Sequence, residues 1–180
     1  MDITQTYRVN QATASDSSAV LKILKNRALW LKENGSEQWI FLLSGQEDAE
    51  IVAKVEAGLF YKVLSQDSDE IIAVFLLSSK QDRWDIELWG EDDGTVGSAP
   101  FYLHKLAVSL THKGERVGDF VMEWIKNHVR SLDNAECMRL DCVASSDKLI
   151  HFYKEHGFVL QKIVMDHCLF EWRVHTSSNG

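Results

Sequence analysis

A chain of 180 residues with 45% hydrophobic content can bury its own core, and it predicts one globular domain over residues 1–175 followed by a disordered tail at 176–180. The net charge of −8 excludes sequence-independent nucleic-acid binding, which needs many Lys and Arg against phosphates, although a small phosphorylated ligand can still be held by a local basic loop. The longest apolar run, Ile71 to Leu77, is far short of the about 20 residues that span a bilayer, and Met1-Asp2-Ile3-Thr4 is no charged leader. With three cysteines and no C-x-x-C, the expectation is a cytoplasmic protein with reduced thiols and no membrane or nucleic-acid partner, a homodimer being allowed.

Tyr7 to Thr13 predicts a first strand, and Ser15 and Asp16 offer N-caps for a helix whose Val20, Leu21, Leu24, Ala28 and Leu31 recur at helical spacing up to Gly35. Gln38 and Trp39 follow in a loop, where they either line a substrate pocket or lay a tryptophan lid over the core. Glu47 to Ala57 predicts a second helix with Ile51, Val52 and Val55 inward. Leu59 to Leu64 and Ile71 to Leu77 flank the turn Asp67-Ser68-Asp69 and predict an antiparallel hairpin, the second strand apolar on both faces and therefore central.

Lys80 to Pro100 is expected to be a loop, with a short strand through Ile86, Leu88 and Trp89. From Asp82 to Asp93 it carries six carboxylates against one arginine. That charge either recruits an ammonium substrate or is a solvated surface.

Leu103 to Val108 predicts an apolar strand, and alternation puts Tyr102, His104, Leu106 and Val108 on one of its faces. A short loop, Lys113-Gly114-Glu115-Arg116-Val117-Gly118, leads into a helix with Val117, Phe120, Val121, Trp124, Ile125 and Val129 along one side. Unpaired N–H groups of the first helical turn, the helix dipole, Lys113 and Arg116 suit an anion; a plain strand-to-helix turn is the other reading. The spacing matches neither G-x-x-x-x-G-K-[ST] nor G-x-G-x-x-G. Met138 to Val143 is the next strand, Asp147 to Glu155 a helix, and Phe158 to Met165 with Cys168 to Val174 a closing strand pair.

Two of these stretches carry a resemblance. Leu106-Ala107-Val108 with Lys113 to Gly118 and the helix behind it resembles motif A of the GNAT superfamily of acetyl-CoA-dependent N-acetyltransferases, Arg/Gln-x-x-Gly-x-Gly/Ala. Lys113 replaces the usual Arg or Gln, and Arg116 stands where the middle glycine is expected. Leu140 to Val143 followed by Leu149-Ile150-His151-Phe152-Tyr153-Lys154-Glu155-His156-Gly157-Phe158 resembles motif B. The resemblance implies a mixed α/β fold: a mostly antiparallel sheet of six or seven strands with a central splayed parallel pair, flanked by about four helices.

It also implies a function: transfer of an acetyl group from acetyl-CoA to a primary amine, small or on a protein, in a ternary complex. The alternative is an acyl-CoA-binding sensor without transfer. The main chain of Leu106 and Val108, the loop residues Lys113, Gly114, Arg116, Val117, Gly118 and Asp119, and Ser146 in an asparagine position would hold the cofactor. An N–H near Val108, freed by a strand bulge, would bond the acetyl oxygen. Tyr153 would be the general acid, or else a core tyrosine.

The base is open. His104, with a reference pKa of about 6.5, is either that base or a hydrogen-bonded core residue, with Glu87 and Asp141 as runners-up. Gln38, Trp39, Trp89 and Asp141 are the candidate substrate contacts, though Asp141 also suits a helix cap. No metal site is expected: His151 and His156 are five residues apart on different helical faces, and there is no His-Glu-x-x-His.

Overall fold

The structure, a computed structural model, describes residues 7–92 and 99–174; the expected tail at 176–180 lies outside them. Seven strands form one sheet: β1 (Tyr7–Gln11), β2 (Phe60–Ser65), β3 (Ile71–Ser78), β4 (Ala99–Val108), β5 (Ala135–Val143), β6 (Val159–Val164) and β7 (His167–Arg173). Their order is β1-β2-β3-β4-β5-β7-β6. β1–β2, β2–β3, β5–β7 and β6–β7 pair antiparallel, whereas β4 pairs with β5 in parallel, in a register that runs from Ala99↔Ala135 to Tyr102↔Arg139 while β5 continues to Val143. A mixed, mostly antiparallel sheet with one short parallel pair is the architecture expected from the sequence. β3 is buried at every position after Ile71, which is what apolarity on both faces requires of a central strand.

The described residues form five α-helices: α1 (Ser17–Glu33), α2 (Asp48–Glu56), α3 (Arg83–Trp89), α4 (Val117–Ser131) and α5 (Asp147–Glu155). Thr13, ahead of Ser15 and Asp16, sets the entry to α1: its N–H donates to the Asp16 carboxylate at 2.8 Å, and a 3-10 turn at Ala14–Asp16 precedes the helix. α1 ends in a Schellman turn, with Gly35 at φ +82°, the Gly35 N–H donating to Lys32 and the Ser36 N–H to Leu31.

α3 replaces the loop and short strand expected across Ile86, Leu88 and Trp89. Asp82 Oδ1 accepts from the Asp85 N–H at 2.9 Å and Asp85 Oδ2 accepts from the Asp82 N–H at 3.0 Å, a reciprocal box that starts the helix; Gly90 at φ +80° follows its end. The inward positions are Asp85 and Leu88, spaced i, i+3, whereas Ile86 is 41% exposed. An aspartate in the buried stripe breaks the apolar periodicity, and the alternation Ile86-x-Leu88 imitates a strand.

The chain divides into two compact units, Met1–Leu77 with Lys105–Val121, and Ser78–His104 with Met122–Gly180. In the first, α1, α2 and the 3-10 segment Ile40–Ser44 close a core that includes Val20, Leu24, Leu42, Val55, Phe60 and Val74. In the second, β5 and β7 pair residue for residue from Cys137↔Arg173 to Val143↔His167, and Met138, Leu140, Leu169 and Phe170 are buried. The three thiols, Cys137, Cys142 and Cys168, are buried. No helix among the described residues is long and apolar enough to cross a membrane.

Candidate active site

The loop before α4 is built by backbone conformation. Gly114 sits at φ +87°, with nothing within 4 Å of where a Cβ would stand. Arg116 adopts φ +59°, the left-handed conformation that glycine takes without cost and an L-residue holds at about 1 kcal/mol. The position at which the motif expects glycine therefore keeps glycine's geometry although the side chain is arginine. Arg116 also starts the helix, its carbonyl accepting from the Phe120 N–H at 3.2 Å. Val117, Gly118 and Asp119 form the first turn, whose N–H groups have no partner within a helix.

Side-chain charge in this loop nearly cancels, with Lys113 and Arg116 against Glu115 and Asp119, and Arg116 Nε lies 2.9 Å from Asp119 Oδ2. The attraction for an anion thus comes mainly from aligned amides. These amides and the open space at Gly114 fit a pyrophosphate.

Two residues absent from the sequence reading support the loop. The Lys113 ammonium stands 4.1 Å over the Trp30 ring, and the Arg27 guanidinium lies 5.2 Å from the same ring. Arg27 Nη2 also donates to the Val108 carbonyl at 2.7 Å, tying α1 to the end of β4. Only their i, i+3 spacing on α1 marked Arg27 and Trp30 as a pair.

β4 is not uniformly extended. Lys105, three residues before the bulge expected near Val108, adopts the left-handed φ of +53°, so strict alternation of Tyr102, His104, Leu106 and Val108 stops there. Lys105 Nζ lies 3.7 Å from Glu47 and 5.5 Å over the Trp39 ring. Trp39 packs on the core of the first unit, and its neighbour Gln38 donates its N–H to Ser36 Oγ at 3.2 Å.

In the second unit, His104 Nε2 stands 2.9 Å from Asp85 Oδ1, with the Asp85 side chain only 2% exposed. Burial by itself lowers the His104 pKa, but the adjacent Asp85 carboxylate, helped by Asp82 and Asp141, outweighs it, and the net displacement is upward. Asp141 shifts upward because of burial, against the opposing charge of His104, and its Oδ2 accepts from Trp84 Nε1 at 3.3 Å.

Trp89 falls in a different group. The Arg139 guanidinium lies 4.6 Å over its ring, while Arg139 also donates to Tyr102 Oη at 3.2 Å and to Glu171 Oε2 at 3.0 Å. Tyr102 donates to Asp92 at 3.1 Å, and burial pushes its pKa up to about 12.

Tyr153 is buried on α5 among Phe152, Phe158 and Phe170, with ring centroids 5.3 to 6.0 Å away. Burial first, then the charges of Cys142 and Asp141, drive its pKa upward, so the phenol stays protonated at neutral pH. Ser146 caps α5, its Oγ accepting from the Leu149 N–H at 3.3 Å.

The family model described as "Acetyltransferase (GNAT) family" matches residues 12–158. An uncharacterized N-acetyltransferase, YesJ, of Bacillus subtilis is 37% identical over 147 residues, 82% of this chain and 78% of that protein. The chain belongs to the GNAT acetyltransferase family. As a GNAT enzyme it is an acetyl-CoA-dependent N-acetyltransferase, and the reading of a binding module without transfer is not favoured. Solved structures show the same fold: a GNAT family acetyltransferase from Listeria monocytogenes superimposes with a TM-score of 0.79 at 23% identity, covering 93% of this chain and 95% of that one. The PaiA N-acetyltransferase of Thermoplasma acidophilum, solved in complex with coenzyme A, gives 0.69 at 10% identity, covering 94% and 99%.

Proposed function

We propose that this GNAT enzyme acetylates a primary amine, with the donor's pyrophosphate on the amides of Gly114 to Asp119, His104 as general base and Tyr153 as general acid. In the reaction the amine nitrogen bonds to the acetyl carbon, the carbon–sulfur bond breaks, and the thiolate of coenzyme A leaves and takes a proton. An ammonium acceptor must first lose a proton. The pairing of His104 with buried Asp85 carries this reading: a carboxylate 2.9 Å from Nε2 stabilises by its charge the imidazolium formed when Nδ1 takes up a proton. Asp85 is then a positioning residue.

Tyr153 complements the base. Burial keeps its phenol protonated while making it a weaker acid, so it acts first as a hydrogen-bond donor to the sulfur as negative charge develops there. By family resemblance, the main chain of Leu106 and Val108 pairs with the pantetheine amides and an N–H near Val108 stabilises the acetyl oxygen. The Arg27 bond to the Val108 carbonyl supports that role by fixing the strand end. Ser146 is assigned to helix capping, with Lys113 adding long-range attraction to the phosphates and Arg116, its side chain paired with Asp119, contributing its amide.

The acceptor is assigned to the region of Asp141 and the acidic start of α3, where carboxylates favour a cation. Asp141, Trp89, Gln38 and Trp39 are proposed substrate contacts. The reading is tested by thiol release from acetyl-CoA against a panel of small amines and peptides, followed from pH 5 to 10. A rate that rises with pH through a pKa above the ordinary histidine value, and loses that limb in His104→Gln, is expected; an unaltered profile would remove His104 as the base.

A further inference from the structure

We propose that Asp82, Asp85 and His104 form a binding site for a divalent transition-metal cation. One donor atom from each, two carboxylate oxygens and an imidazole nitrogen, lie within 4.8 Å of one another. The three residues come from the start of α3 and from β4. No sequence spacing announced them, because the histidine is far along the chain from the aspartates.

Proximity of acidic groups alone does not make a metal site, and the decisive observation is how Asp85 is used. Its Oδ2 is engaged by the Asp82 N–H in the box that starts α3. Its Oδ1 is buried and without a hydrogen bond, and so is His104 Nε2, although the two atoms face each other at 2.9 Å. Two donors held that close without hydrogen-bond alignment have the separation of adjacent ligands on a common ion: with metal–ligand distances of about 2.0–2.2 Å, a right angle at the metal places them about 3 Å apart. A buried carboxylate oxygen is costly to leave unsatisfied, and a cation between the two atoms satisfies both at once.

The electrostatics point the same way. Asp82 and Asp85 supply two negative charges, and Asp141 acts on His104 as a third carboxylate. A mixed oxygen and imidazole set without thiolate suits Zn²⁺, Co²⁺ or Mn²⁺, and three protein ligands leave further positions for water. A metal on Nε2 leaves the ring proton on Nδ1, the nitrogen that would otherwise accept the acceptor's proton. The cation would therefore inhibit transfer if His104 is the base, but its binding does not depend on that role.

The probe is Co²⁺, titrated into chelator-stripped full-length protein and followed by visible absorption, with Zn²⁺ calorimetry in parallel. One saturable equivalent is expected, with affinity falling at least tenfold in both Asp82→Asn and His104→Gln. Asparagine still caps a helix, so the first substitution leaves α3 in place. The exposed pair His151 and Glu155, 3.0 Å apart on α5, is the competing surface site, and His151→Gln must leave the binding unchanged. No saturable binding, binding insensitive to both cluster substitutions, or binding lost in His151→Gln would overturn the proposal. Saturable cluster binding that leaves thiol release unaffected would uphold the metal site and count against His104 as the base.

Discussion

The loop before α4 and the cluster around His104 are built on opposite principles. The loop is exposed, contiguous in sequence and made of backbone: Gly114 and Arg116 in left-handed conformations and the first amides of a helix, with side-chain charges that nearly cancel. The cluster is buried at Asp85 and half-buried at Asp82 and His104, discontinuous and made of side chains, with its aspartates at the start of α3 and its histidine on β4. Backbone sites tolerate side-chain change, which is why arginine can stand in a glycine position. A side-chain cluster in a low dielectric does not, because removing one member leaves the others uncompensated.

That contrast orders the expected effects. Tyr153→Phe removes the proton donor while keeping the ring's packing, and kcat should fall by about 10²-fold or more with little change in acetyl-CoA affinity. Unchanged turnover would dismiss Tyr153 as the acid. Asp85→Asn keeps an oxygen for the Asp82 N–H but removes the charge that lifts the His104 pKa. The ascending limb of the pH–rate profile should move to lower pH, with a rate loss of about tenfold. A limb that stays in place would mean that Asp85 does not act through His104.

Effects on the backbone site should be smaller and should fall on binding. Gly118→Asp adds negative charge and bulk in the first turn of α4 and should weaken acetyl-CoA by about tenfold, read by calorimetry with kcat at saturation preserved. Arg116→Gly should do the reverse of what loss of a cation suggests. It relieves the left-handed strain, so the protein should gain up to about 1 kcal/mol in denaturant unfolding with cofactor affinity equal or better. A loss of affinity would show that the Arg116 side chain, and not only its amide, contacts phosphate.

The same contrast explains what could be read from the sequence. The hairpin of β2 and β3, the helix α5 at Asp147–Glu155 and the β6–β7 pair follow from local periodicity and turn chemistry, and both family motifs are contiguous. α3 was obscured because its inward position 85 is an aspartate facing His104 and not an apolar residue, which removed the periodicity that announces a helix. Arg27 and Trp30 read as ordinary members of an amphipathic helix; what singles them out is contact with Lys113 and Val108, more than eighty residues away. The strand kink at Lys105 carries no glycine to mark it.

The most direct test of the central claim, that the amides before α4 hold the donor, is calorimetric titration of acetyl-CoA into the wild type and Gly118→Asp side by side. Saturable one-to-one binding to the wild type, weakened about tenfold in the variant with its fold intact, is the expected result. Equal affinity in the two proteins, or no binding to the wild type, would contradict it.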